Sequence, residues 1–166
     1  MLSESESAMD IVINASPLIL LNKVNRLSLL NKLFTAVYIP NAVLREVGIT
    51  SELEPNVDFS EISFRPLCVT NEVAVQGLLG RLHIGEVEVI VGAIEKGIST
   101  VVLDENAARN KAKHLGLYVT GTLGILMKAK KCGLIDDISA EITNLKNANM
   151  YVSDEVVKRL IALCDL

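Results

Sequence analysis

The five residues STVVL, Ser99 to Leu103, are apolar or β-branched almost throughout and show no alternation of wet and dry positions. A strand with one solvated face alternates. One that is apolar on both faces has to be covered on both, which is the condition of a parallel strand between two layers of helix. The run ends in Asp104 and gives way at once to the helix-forming ENAARNKAKHLG. A second short apolar run, Asp10 to Ile13 (DIVI), ends the same way, in Asn14 followed by Ala15, Ser16 and Pro17. Buried strands separated by helices restrict the chain to an α/β fold in three layers, a mostly parallel central sheet flanked by helices.

The rest of the sequence is compatible with that frame. Ser16 and Pro17 are suited to be the N-cap and first-turn proline of a helical region reaching about residue 34. Ala36 to Ile39 reads as a strand, and Pro40 and Asn41 open the helix AVLREV, which Gly48 stops. Residues 49 to 70, with Pro55, Asn56 and Pro66, are the least regular and read as an exposed loop. Helices are expected over 71–82, 85–96, 105–115, 122–131, 137–147 and 153–164, with a strand at 117–119. The last helix places Val156, Val157, Leu160, Ile161 and Cys164 on one apolar face, which suits internal packing better than an interface.

Residues 1–8 (MLSESESA) have no basic n-region and the apolar stretch after them is interrupted, so they read as a disordered extension, neither signal peptide nor membrane span, ahead of a single domain at 9–166. With 50% hydrophobic residues and mean hydropathy +0.39, such a domain can bury its core without staples. Cys68, Cys132 and Cys164 lie far apart and are odd in number, which points to a reducing, cytoplasmic location and away from a zinc site.

In a parallel sheet ligands gather outside the carboxyl ends of the strands. Asn14 and Asp104 stand at such ends, although a turn or N-cap role would also put them there. If GEVEVIVGAIEK is a helix, Glu86 falls between Ile90 and Ala93 on the apolar arc, while Glu88 and Glu95 fall on the opposite, solvated face. A carboxylate aimed inward is costly unless a cation or donors meet it; the alternative is a first-turn carboxylate favoured by the helix dipole. Glu46 borders the apolar face of its own helix, or is a surface charge near a helix end. Together these four supply oxygen ligands with no His or Cys among them, the chemistry of Mg²⁺ or Mn²⁺. No Walker A, G-x-S-x-G or dinucleotide fingerprint competes, and His83 and His114 have no evident triad partners.

INASPLILLNKVNRLSLLNKLF, LHIGEVEVIVGAIEKG and STVVLDENAARNKAKHLGLYVTGTLGILMKAKKCGLI resemble the PIN-domain proteins, in particular a prokaryotic branch of predicted nucleic-acid-binding proteins, over about residues 9 to 163. The resemblance implies a PIN-like fold and a metal-dependent ribonuclease acting on RNA, often the toxin of a toxin–antitoxin pair with a small antitoxin protein as partner, and commonly dimeric. It implies that an acidic quartet holds Mg²⁺ or Mn²⁺. By motif the quartet maps to Asn14, Glu46, Glu86 and Asp104, with an amide in place of the first acid, and catalysis falls to Glu46, Glu86 and Asp104.

Ser16 and Thr122, near the same edge, are candidates to position water or phosphate, or else cap helices. The net charge of −4 does not suggest a nucleic-acid binder, but it is unevenly spread. Between Asp104 and Lys131, Arg109, Lys111, Lys113, Lys128, Lys130 and Lys131 face only Asp104 and Glu105, a net +4 that leaves the remainder at −8. The basic residues either line the cleft and contact phosphates or form solvated helix faces. Three classes of function follow: an endoribonuclease for single-stranded RNA, a non-catalytic PIN module that binds nucleic acid or a protein, and, less well supported, a receiver-like phosphoacceptor at Asp104.

Overall fold

The computed structural model describes residues 9–48 and 57–164. The expected extension at 1–8 and residues 49–56 of the expected loop lie outside them. Five strands, β1 (Asp10–Ile13), β2 (Ala36–Pro40), β3 (Arg65–Leu67), β4 (Thr100–Val102) and β5 (Tyr118–Thr120), form one sheet in the order β3-β2-β1-β4-β5, and all four pairings are parallel. As the continuous apolar runs require, Ile11, Val12 and Ile13 of β1 and Val101 and Val102 of β4 are fully buried. β3 was not expected. Two of its three residues are exposed, and Pro66 removes a ladder donor that only an edge strand can lose, so neither alternation nor hydrophobicity betrays it.

Helices cover both faces. On one side lie α3 (Asn41–Glu46), α4 (Glu72–Leu78), α5 (Ile84–Lys96) and α6 (Asn106–His114), with α5 packed on β1, β2 and β4. On the other lie α1 (Ala15–Lys23), α2 (Leu29–Leu33) and α7 (Thr122–Lys131), with α8 (Ile138–Asn147) and α9 (Asp154–Cys164) packed against α7. The expected helix from 16 to 34 is thus two, parted at Asn25, whose positive φ of 57° ends α1. Val157, Leu160, Ile161 and Cys164 of α9 pack on the core, whereas Val156 is exposed. The buried Glu141 of α8 accepts hydrogen bonds from Arg26 and holds that guanidinium above its ordinary pKa, chiefly through this bond.

Glu88 corrects the expectation of a solvated face, whereas Glu95 is exposed as expected but is also engaged. Half-buried Glu88 accepts the backbone N–H of Ala42, at 2.8 Å, in the first turn of α3. Glu95, though exposed, accepts the N–H groups of Thr70 and Asn71. Each carboxylate fastens α5 to the chain beside it.

Candidate functional site

The strand order reverses between β1 and β4, and the residues that follow them, Asn14 and Asp104, flank the crevice opened there. The ladder continues one step past the strands, with Asn14 N–H donating to Val102 O at 3.1 Å. A cleft of about 550 Å³ lies over this point, and Asn14, Glu46, Glu86 and Asp104 all line it, together with Ser16. The four residues therefore share one cavity although they come from four separate segments.

Asn14 rather than Ser16 is the N-cap of α1, yet its side chain makes no capping bond. The residue is 7% exposed, and its Oδ1 is buried without a hydrogen-bond donor among the described residues. A buried acceptor left unpaired costs about 1–3 kcal/mol. Across from it, α5 begins at Ile84 and Gly85. A Cβ at Gly85 would come 3.0 Å from Glu46 Oε2 and 3.3 Å from Asn14 Oδ1, so the glycine lets both oxygens approach the same point of the backbone. Glu46, at the C-terminal end of α3, is exposed.

The other two carboxylates are turned toward donors of the protein. Buried Glu86 accepts the N–H of His83 at 3.1 Å, the first-turn role that its position allowed. Asp104 accepts the Thr122 N–H at 2.8 Å on Oδ1 and the Thr122 hydroxyl at 2.7 Å on Oδ2, at the N-terminus of α7 where the helix dipole favours an anion. Thr122 is wholly buried and is thus a positioning residue for Asp104. Any side chain at Gly121 would collide there, 2.7 Å from Asp104 Oδ1 and 2.8 Å from Arg109 Nη1. Arg109 lies behind Asp104, donating to Leu103 O at 2.8 Å.

Lys128, Lys130 and Lys131 are not brought to the cleft. α7 starts beside Asp104 and runs about 1.5 Å per residue back along the sheet, so its last turn reaches the amino edge. There Lys128 Nζ lies 5.2 Å from the Phe34 ring centroid, Lys130 donates to Asp136 O, and Lys131 is exposed. In their place the cleft holds Lys23 and Tyr151, which the sequence did not single out, and His83, which it offered only as a histidine without triad partners. Their only sequence signal was proximity to the motifs, His83 beside Glu86 and Lys23 at the end of α1; nothing local pointed to Tyr151.

A family model of the PIN domain, DUF3368, matches residues 10–165. The chain belongs to the PIN-domain family. No match to an individual curated protein accompanies that of the family. This PIN domain places an unpartnered buried amide oxygen at Asn14 near Glu46, with Glu86 and Asp104 on the same cleft, oxygen donors of the kind that a divalent cation takes. Among the described residues no three His, Cys, Asp or Glu side chains converge closely enough to hold an ion by themselves. A cation held here would have to draw on Asn14, or draw the carboxylates in around it. Among the described residues no helix is long and apolar enough to cross a membrane.

Proposed function

We propose that this PIN domain is a metal-dependent endoribonuclease that hydrolyses phosphodiester bonds of single-stranded RNA. The observation that carries the reading is the buried Oδ1 of Asn14, without a donor among the described residues, in a cleft shared with Glu46, Glu86 and Asp104. An acceptor in that position calls for a cation, and an all-oxygen ligand set suits Mg²⁺ or Mn²⁺. Asn14, Glu46, Glu86 and Asp104 would hold the ion, which when bound neutralises phosphate charge and makes water acidic enough to serve as nucleophile. The protein's own part is orientation. Thr122 and the α7 N-terminus fix Asp104, His83 N–H fixes Glu86, and exposed Glu46 is the carboxylate with the freedom to orient a water. Family membership supports a toxin-type nuclease held by a small antitoxin protein.

A second reading, a PIN module that binds RNA or a protein without cutting, is favoured by the engagement of Glu86 and Asp104 with protein donors. Incubating a mixed RNA pool with the protein in Mn²⁺, Mg²⁺ or chelator decides between them. Internal cleavage with either ion and none with chelator is expected. Retention of the pool without cleavage under any condition selects the binding module.

A further inference from the structure

The cleft does not end at its acids. Lys23, Ala148 and Asn149, on one side of it, are shared with an adjoining cavity of about 540 Å³ onto which Asn25, Asn144 and Asn147 also open. All four of these asparagines are exposed, and none uses its side-chain amide in a hydrogen bond among the described residues. The cavity lies where two helices stop. α1 ends at Lys23 and Asn25 follows at φ 57°, while α8 ends at Asn147 and Asn149 follows at φ 70°. Asn is the residue besides Gly that most readily takes this left-handed conformation.

Helix C-termini carry partial negative charge, and although most last-turn carbonyls of α1 and α8 are already bonded, those of Lys23 and Asn147 accept no hydrogen bond among the described residues. Two of them on one cavity disfavour a phosphate and favour a ligand that donates hydrogen bonds. The amides can answer with acceptors and donors alike. Lys23 is the one charged side chain among the described residues lining the cavity, and it stands on the border with the acidic cleft. Tyr151 lines that cleft at 91% exposure, a flat ring left open to solvent and suited to stacking on a base.

We infer that the asparagine cavity is a base-reading subsite for single-stranded RNA, selective for bases that carry an exocyclic amino group. A strand with a phosphate at the acids stacks one base on Tyr151, passes Lys23, and lays a neighbouring base among the amides and helix-end carbonyls. The inference rests on the RNA reading of the cleft and adds a preference to it. Cytosine and uracil separate the effects, because they are alike in size and differ at the amino group of one and the carbonyl oxygen of the other.

Fluorescence anisotropy of short oligo(C) and oligo(U) RNAs with Mn²⁺, in the cold, tests it. Wild type should bind oligo(C) about tenfold more tightly than oligo(U), the discrimination expected of one well-made base contact. Asn144→Ala combined with Asn147→Ala should bring oligo(C) down to the oligo(U) level. Tyr151→Ala should weaken both by about tenfold and Tyr151→Phe should not, as stacking requires. Equal affinity of wild type for the two RNAs, a comparison that needs no variant to fold, overturns the subsite and leaves the nuclease reading standing. So does a preference that survives the double variant. Failure of wild type to bind either RNA overturns both.

Discussion

Asn14 holds the backbone position of a cap and declines the side-chain work of one. That arrangement leaves a buried acceptor unpaired among the described residues, a cost that a bound cation would relieve. Because the amide brings no charge, the four proposed ligands would carry −3 rather than the −4 of a full acidic quartet. Asn14→Asp should therefore tighten Mn²⁺ binding several-fold and raise cleavage, while lowering the metal-free melting temperature by adding a like charge. Asn14→Ala should weaken Mn²⁺ binding with little harm to the metal-free fold, since the lost oxygen has no donor there. Calorimetric titration of Mn²⁺ into the three proteins checks this; equal affinities would return Asn14 to a turn residue. Asn14 and Asp104 were legible in the sequence because a buried strand and its terminating polar residue are local features. Thr122 was a candidate to position water or phosphate or else to cap a helix, and the hydrogen bonds by which it holds Asp104 depend on a neighbour 18 positions away.

At the scale of elements, short α3 depends on its neighbours. Its six residues are too few to be stable alone, and the N–H of Ala42 in its first turn finds its acceptor in Glu88 of α5. Since α3 carries Glu46 at its other end, Glu88 supports the site without entering it. Glu88→Ala should cost about 1 kcal/mol, as the loss of an N-terminal cap does, and should weaken Mn²⁺ binding as α3 loosens. Thermal melts with and without Mn²⁺ check both effects; Glu88→Gln, which keeps an acceptor, should recover most of each. Periodicity could place Glu88 on the outer face of α5 but could not show a partner 46 residues earlier in the chain. The lysines of α7 show the same limit. Their sum of charge is plain in the sequence, whereas the end of the sheet at which a helix delivers them is settled only by packing.

For the whole molecule, charge should act through the cleft rather than through the basic segment. Mn²⁺ should raise the melting temperature of wild type, and Glu86→Ala or Asp104→Ala should abolish most of the rise, because binding to the folded state alone stabilises it. Equal shifts in all three would remove the metal site. Lys23→Gln should lower the salt dependence of RNA affinity by about one counterion, while replacing Lys128, Lys130 and Lys131 with Gln should leave the slope unchanged. A slope flattened by the triple variant would bring those lysines back as phosphate contacts.

The walls of the cleft are drawn from segments far apart in the sequence, among them Asn14 after β1 and Tyr151 beyond α8. In a growing polypeptide Glu46, Glu86 and Asp104 all precede the segment from Ala148 to Tyr151, so the acids are in the chain before the rest of the cleft is. A nascent chain that already carries its acids therefore still lacks the part of the cleft that Tyr151 supplies, and the complete cleft forms only after residue 151 has left the ribosome.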